Sequence, residues 1–503
     1  MQAIVIGAGM GGLAAAIDLA RQGAVVTVLE QGDAPGGKMR QIGPHRIDAG
    51  PTVFTMRHVF DSLFHDAGAD LASAVMLEPA GTLARHTWGA TPLDLYPDLD
   101  RSAAAIDAFC GEGAGFRALM AEAARMYQVL DRTFIQAPRP TALSLTRAAG
   151  VGAMLAIRPF DTLWNTLGRH LRDPRLRQLF GRYATYAGSS PYRAPATLML
   201  IAHVERAGVW QIAGGMHQLA RAMAGLLVRL GGTIRYGAGV ARIEHAGGRA
   251  SGVVLHDGTR LAADAVVLNA DPAALAAGLF GLGLAPSAAV PAPRSLSAIT
   301  WAGLADVSGF SLAHHTVFFS PDYATEFRTL EAGRMPTAPT IYLCAQDRTD
   351  AGARATTGPE RLLVLINAPP AGDRTPPLET APCLHHTTAH LARAGLRLTL
   401  HDPIMTTPGD FHRLYPATGG ALYGAPVHGA MASFRRPGSR TALPGLYLAG
   451  GATHPGAGVP MAALSGRLAA AAIMQDRGST ARSRPMAMRG GMSTPSATMA
   501  PTG

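Results

Sequence analysis

An apolar strand running straight into three glycines at fixed spacing constrains this chain more than any other feature. Residues 2–6 (QAIVI) precede Gly7, Gly9 and Gly12, and a small-residue helix pattern, LAAAIDLA, follows at once. In such a strand, turn and helix, Gly7 makes the tight turn and Gly9 lets the backbone approach a pyrophosphate. Gly12 allows close helix–strand packing, and the helix N-terminus favours the phosphate charge. Glu30 closes the next strand at the distance where a carboxylate accepts hydrogen bonds from ribose hydroxyls. A plain glycine-rich turn explains the glycines but leaves Glu30 without a role.

NAD and FAD sites share that fingerprint, and the following segment, GDAPGGKMRQIGPHRIDAGPT, favours FAD. Gly36 and Gly37 open a second turn directly after the ribose strand. Lys38, with Arg40 behind it, would place positive charge along a diphosphate. Near the other end, GLYLAGG leads into a turn and then Pro460, which suits a first helical turn. A helix N-terminus there would stabilise an anionic reduced flavin.

These two halves lie nearly 400 residues apart, and the expected fold class is α/β: a Rossmann-like FAD-binding domain with an inserted α+β substrate domain. The FAD-binding domain is read as residues 1–80, 207–285 and 411–475, and the substrate or membrane-binding domain as residues 81–206 and 286–410. Residues 53–206 look helical, broken by Gly and Pro. Residues 211–270 return to a helix, a strand (TIRYG), a hairpin and a buried strand (AVVLNA). Between about 290 and 410 only PTIYLCA and RLLVLINAP stand out as strands. Residues 476–503, rich in Ser, Thr, Pro, Met and Gly, read as a disordered tail.

The 503 residues are 48% hydrophobic and only 16% charged, which suits a deep apolar cavity. Lys plus Arg number 44 against 34 Asp plus Glu, and Lys38 is the single lysine. That excess reads as an arginine-rich surface or as attraction to an anionic membrane. Nucleic acid is not expected, because no basic cluster interleaves with aromatics. Cys110, Cys344 and Cys383 share no ligand spacing, so neither a disulfide nor a metal site is expected. The pairs His314–His315 and His385–His386 read as surface or loop residues. Asp131, Arg132, Tyr183 and Tyr186 are candidate acid–base groups with nothing to place them beside a flavin, so the catalytic residues are unknown at this level.

No charged leader and no run of 18 apolar residues appears, so the expected location is cytoplasmic or peripheral on the cytoplasmic face. Residues 145–164 (LTRAAGVGAMLAIRPFDTLW) are apolar and too short to span a bilayer. Arg147, Arg158 and Trp164 flank them as interfacial anchors, which suggests monotopic membrane association.

In order along the chain, GAGMGG, GDAPGGK, DAGPT and LYLAGGATHPGAGVP resemble the bacterial phytoene desaturase family of carotenoid desaturases, over nearly the full length to about residue 475. GPTVFTMRHVFDSLF, LARHTW, LFGRYATYAG and LAHHTVFF are most similar to its 1-hydroxycarotenoid 3,4-desaturase branch, the methoxyneurosporene dehydrogenases. The resemblance implies flavin contacts from Gly7, Gly9, Gly12, Glu30, Gly37, Lys38, Gly50, Thr52, Val240, Asp271, Gly450, Val459, Pro460 and Met461. Lys38 stands where many members have arginine, and GGATHPGAG replaces GAGTHPGAG; both keep the charge and turn chemistry.

The activity implied is FAD-dependent C3–C4 dehydrogenation of an acyclic 1-hydroxycarotenoid, with quinone or oxygen as electron acceptor. The membrane implied is the inner or photosynthetic one. Phytoene desaturation and carotenoid cis–trans isomerisation are the alternatives on the same fold. A lipid-binding chaperone is an alternative of another class, though it would not need the intact flavin-edge segment found here.

Overall fold

The computed structural model describes residues 1–89, 91–287, 293–349, 352 and 357–482. Its first sheet is five parallel strands in the order Leu446–Leu448, Ala265–Leu268, Gln2–Ile6, Val25–Leu29 and Thr233–Arg235. Parallel strands covered on both faces read as continuous apolar runs, and Ala265–Leu268 and Leu446–Leu448 are buried at every position. The chain leaves this sheet after Val25–Leu29 and comes back three times, at Thr233–Arg235, Ala265–Leu268 and Leu446–Leu448. The two glycine-rich segments, distant in sequence, thereby reach adjacent carboxyl ends.

Helix Met10–Arg21 is buried at 11 of its 12 residues. It owes that burial to Ala and Gly, which let helix Val459–Arg482 lie against it. A Cβ on Gly466 would stand 2.0 Å from the Gly11 carbonyl oxygen, so backbone meets backbone there. Arg467 bridges Asp18 at 3.0 Å and also pairs with Asp66, tying both helices to helix Arg57–Asp66.

The second sheet has seven strands in the order Arg397–Thr406, Ser297–Ser308, Glu360–Ala368, Ile341–Ala345, His315–Phe318, Ala84–Thr87 and Pro92–Leu95. All neighbours are antiparallel except His315–Phe318 with Ala84–Thr87. This corrects the expectation of a purely helical stretch over residues 53–206, since two strands from it complete the sheet edge. Both are four residues long, too short for a periodicity to show. The twelve-residue strand Ser297–Ser308 likewise lies where the sequence shows no clear strand. Helices of residues 99–207, including Leu99–Cys110 and Gly113–Leu130, pack into a separate apolar cluster over this sheet.

The expected tail begins too early. Helix Val459–Arg482 continues past residue 476, and Asp476 accepts from Arg440 at 2.8 Å and from Tyr447 at 2.9 Å. The rest of that expectation, residues 483–503, lies outside the described residues.

Candidate active site

One large cavity, of about 940 Å³, runs between the carboxyl ends of the parallel strands and the face of the seven-stranded sheet. It lies at the upper end of the range for ligand sites. Every residue for which the resemblance implies a flavin contact lines it except Gly12, and Arg40 also lies outside the lining. Gly12 lies behind the turn, where an added Cβ would stand 2.1 Å from the Gly7 carbonyl oxygen.

The residues present fit a dinucleotide. Gly9 caps helix Met10–Arg21 with no side-chain hydrogen bond, and Gly9, Met10 and Gly11 face the cavity, so the first-turn N–H groups remain for a phosphate. A Cβ at Gly50 would stand 1.9 Å from the Lys38 carbonyl oxygen, which keeps that segment flat against the turn. Glu30 accepts from the Ala8 and Gly32 amides at 2.7 and 2.8 Å. Those bonds fix its carboxylate at the cavity wall and leave lone pairs for ribose hydroxyls. Val240 starts strand Val240–Ala246 beside them, and Asp271 caps helix Pro272–Ala276 by accepting from Ala273 at 3.0 Å.

Lys38 is no solvated surface lysine. Its ammonium donates to the Leu422 carbonyl at 2.6 Å and sits 5.2 Å from the Tyr415 ring centroid. Burial lowers its pKa, with Asp271 opposing and Arg436 reinforcing that shift. Arg436 escaped the sequence reading, being one arginine among 43 with no motif around it. It is buried, donates to the carbonyls of Tyr423, Ala425 and Gly451, and burial lowers its pKa to about 10. Asn269, at the carboxyl end of AVVLNA, was also missed. Its amide donates to the Gly7 carbonyl at 3.3 Å, and its Oδ1 stands where a Cβ on Gly11 or Gly450 would collide.

Thr52 connects the two sheets: its hydroxyl shares a 2.6 Å hydrogen bond with Tyr342, whose phenol also meets His315 Nδ1 at 2.7 Å. Beyond Tyr342 the cavity wall carries Arg182, Tyr186 and Glu205. Tyr183 donates to Glu205 at 2.6 Å from behind. Burial raises the Glu205 pKa, with the Tyr183 and Tyr186 hydroxyls opposing. Of the acid–base candidates, the structure brings Tyr186 to the cavity and leaves Asp131, Arg132 and Tyr183 outside its lining.

Two side-chain expectations need correction. His315 is a buried strand residue rather than a surface one, and it comes together with His314 and Cys344, their ligand atoms within 4.8 Å of one another. Strand pairing of residue 315 with residue 344 creates this cluster, so no local spacing announces it. Burial holds the His315 pKa well below 6.5 and pushes the Cys344 thiol up to about 12. The His385–His386 pair does lie at a helix surface.

Trp164 is part-buried against its own fold rather than freely exposed. It packs on Tyr192 at 4.6 Å with Arg177 above it, and Arg158 is held by Glu122 at 2.7 Å. The stretch is two short helices, Ala142–Ala149 and Val151–Ala156, broken at Gly150, with Phe160 as its exposed aromatic.

A parallel dinucleotide sheet, an uncapped helix N-terminus over a glycine turn, and a long apolar cavity beside it define an FAD-dependent oxidoreductase. The description "Flavin containing amine oxidoreductase" matches residues 10–474, and the chain belongs to that family. The hydroxyneurosporene desaturase of Rubrivivax gelatinosus is 50% identical over 511 residues, covering 98% of this chain and 97% of that one. The 1-hydroxycarotenoid 3,4-desaturase of a Flavobacterium species is 29% identical over 93% of this chain and 98% of its own. These likenesses set the chain on the carotenoid desaturase branch of the family. An oxidoreductase from Methanosarcina mazei shares the fold, with a TM-score of 0.61 at 16% identity, covering 94% of this chain and 100% of that one.

Proposed function

We propose that this protein dehydrogenates the C3–C4 bond of an acyclic 1-hydroxycarotenoid, of the 1-hydroxyneurosporene type. The observation that carries the reading is the cavity itself: an apolar stretch of its wall, with Leu365, Ile201 and Val204, runs on from the flavin residues past Thr52 and Tyr342. Bound FAD would supply a two-electron acceptor at the flavin-edge segment. Loss of a hydride from one carbon and a proton from its neighbour then leaves the new double bond, and quinone or oxygen takes the electrons. The protein's own work is to hold the diphosphate with Gly9 and Lys38, fix the ribose with Glu30, and keep water from the polyene with residues such as Leu365 and Ile201.

We assign residues 1–80, 207–285 and 411–475 to the flavin body and residues 81–206 and 286–410 to the substrate body. Among the described residues no helix is long and apolar enough to cross a membrane. Peripheral attachment is the arrangement that suits a water-insoluble substrate. The paired helices around Gly150 support it: Leu145 and Met154 line the cavity, while Leu143, Val151, Leu155 and Phe160 face outward, Phe160 at 86% exposure.

The test is incubation of the flavin-loaded protein with 1-hydroxyneurosporene and with phytoene in separate lipid suspensions, reading absorption, product mass and the position of the new double bond. A red shift with loss of two hydrogens at C3–C4 from the first substrate only is the expected result. Turnover of phytoene alone would make it a general desaturase, and an unchanged mass would make it an isomerase.

A further inference from the structure

We infer that Arg182, with Tyr186 and Thr300, recognises the substrate's end-group hydroxyl and sets specificity for hydroxylated polyenes, an inference that rests on the reaction proposed above. Only three bonds separate a C1 oxygen from C3, so the hydroxyl must lie beside the reacting bond and hence beside the flavin segment. Arg182, Tyr186 and Thr300 line the cavity there. The Arg182 guanidinium carbon stands 5.3 and 5.4 Å from the ring centroids of Tyr186 and Tyr342, and Tyr342 bonds Thr52 of the flavin segment.

Among the described residues no carboxylate forms an ion pair with Arg182, and Nη1 donates to the Tyr186 hydroxyl at 3.2 Å. A guanidinium facing this cavity is costly wherever its N–H groups meet no acceptor. A neutral hydroxyl oxygen supplies one. Thr300 is the second, independent observation: it is buried and lines the same cavity, and its hydroxyl has no hydrogen-bond partner. Strand register sets it across Leu365 from Tyr342, because residue 365 pairs with both 300 and 342. An orphaned hydroxyl and a guanidinium without an ion-pair partner on one wall form a polar site at which the hydroxyl can donate as well as accept.

A site built to hydrogen-bond a hydroxyl rejects the analogue lacking it, because its own polar groups are then left unpaired. The test uses holoenzyme with its flavin reduced, which cannot turn over, titrated with 1-hydroxyneurosporene and with neurosporene, the same polyene without the hydroxyl. The polyene absorption shift reads binding. Wild type should prefer the hydroxylated ligand, and Arg182→Met should lower the affinity ratio by about tenfold or more, the loss of one charge-assisted hydrogen bond. Thr300→Val should lower it less, and flavin stoichiometry checks that each variant is folded. If Arg182→Met loses its flavin, Tyr186→Phe and Thr300→Val carry the test through the same ratio. Equal binding of both ligands by wild type, or an unchanged ratio in the folded variants, overturns the inference. A new double bond elsewhere than C3–C4 would overturn the proposed reaction instead, whatever the ratio.

Discussion

The ammonium of Lys38 donates to the carbonyl of Leu422, 384 positions away, at 2.6 Å. Through this bond the single lysine of the chain closes the flavin cavity between its N-terminal turn and its C-terminal segment.

Because burial lowers the Lys38 pKa, the folded apoprotein binds that proton more weakly than the unfolded chain does. Charged Lys38 therefore opposes folding, and its contribution improves as pH rises toward the unfolded lysine value. Lys38→Met should melt no lower than wild type as apoprotein and show a shallower rise of stability at alkaline pH. It should bind FAD about tenfold more weakly, one charge-assisted contact being lost. Calorimetry of the apoprotein and flavin titration read the two effects separately, and tighter FAD binding would refute the role.

Gly9→Val should purify without flavin. A Cβ at Gly9 would stand 2.7 Å from the Asn269 side-chain nitrogen and beside the uncapped helix N-terminus. The absorbance ratio of flavin to protein decides it; normal flavin stoichiometry would mean that the N-terminal turn does not carry the phosphates.

Glu326 is fully buried, accepting from Thr340 N at 3.1 Å and Oγ1 at 2.7 Å, and burial raises its pKa to about 7. The folded state thus holds its proton more tightly, and stability falls as pH rises from about 4.5 to about 7. The loss over that window is on the order of 3 kcal/mol. Glu326→Gln should flatten this part of the melting-temperature profile and be the more stable protein at pH 8; parallel profiles would refute it.

Leu155→Ser with Phe160→Ser should weaken recovery on anionic vesicles in flotation by on the order of tenfold, since two exposed apolar side chains lose their place in the headgroup region. Flavin content should not change, as neither residue lines the cavity. Equal flotation of both proteins would remove this face from the membrane.

The sequence by itself determined the dinucleotide half of this protein, because its constraints are local. A glycine turn, the carboxylate closing the next strand and a proline-started helix each state their geometry within a few residues. The Gly12 and Gly50 contacts, both backbone against backbone, are of that kind. What only the tertiary structure decided is the other wall of the cavity. Arg436 and Arg182 look like any other arginine until the fold withdraws them from solvent, and Thr300, Leu365 and Tyr342 become neighbours only through antiparallel register across three strands. His315 and Cys344 meet for the same reason, and Trp164 turns inward because Tyr192 and Arg177 happen to reach it. Long-range pairing has no period within a single segment, so those contacts exist only once the sheet has closed.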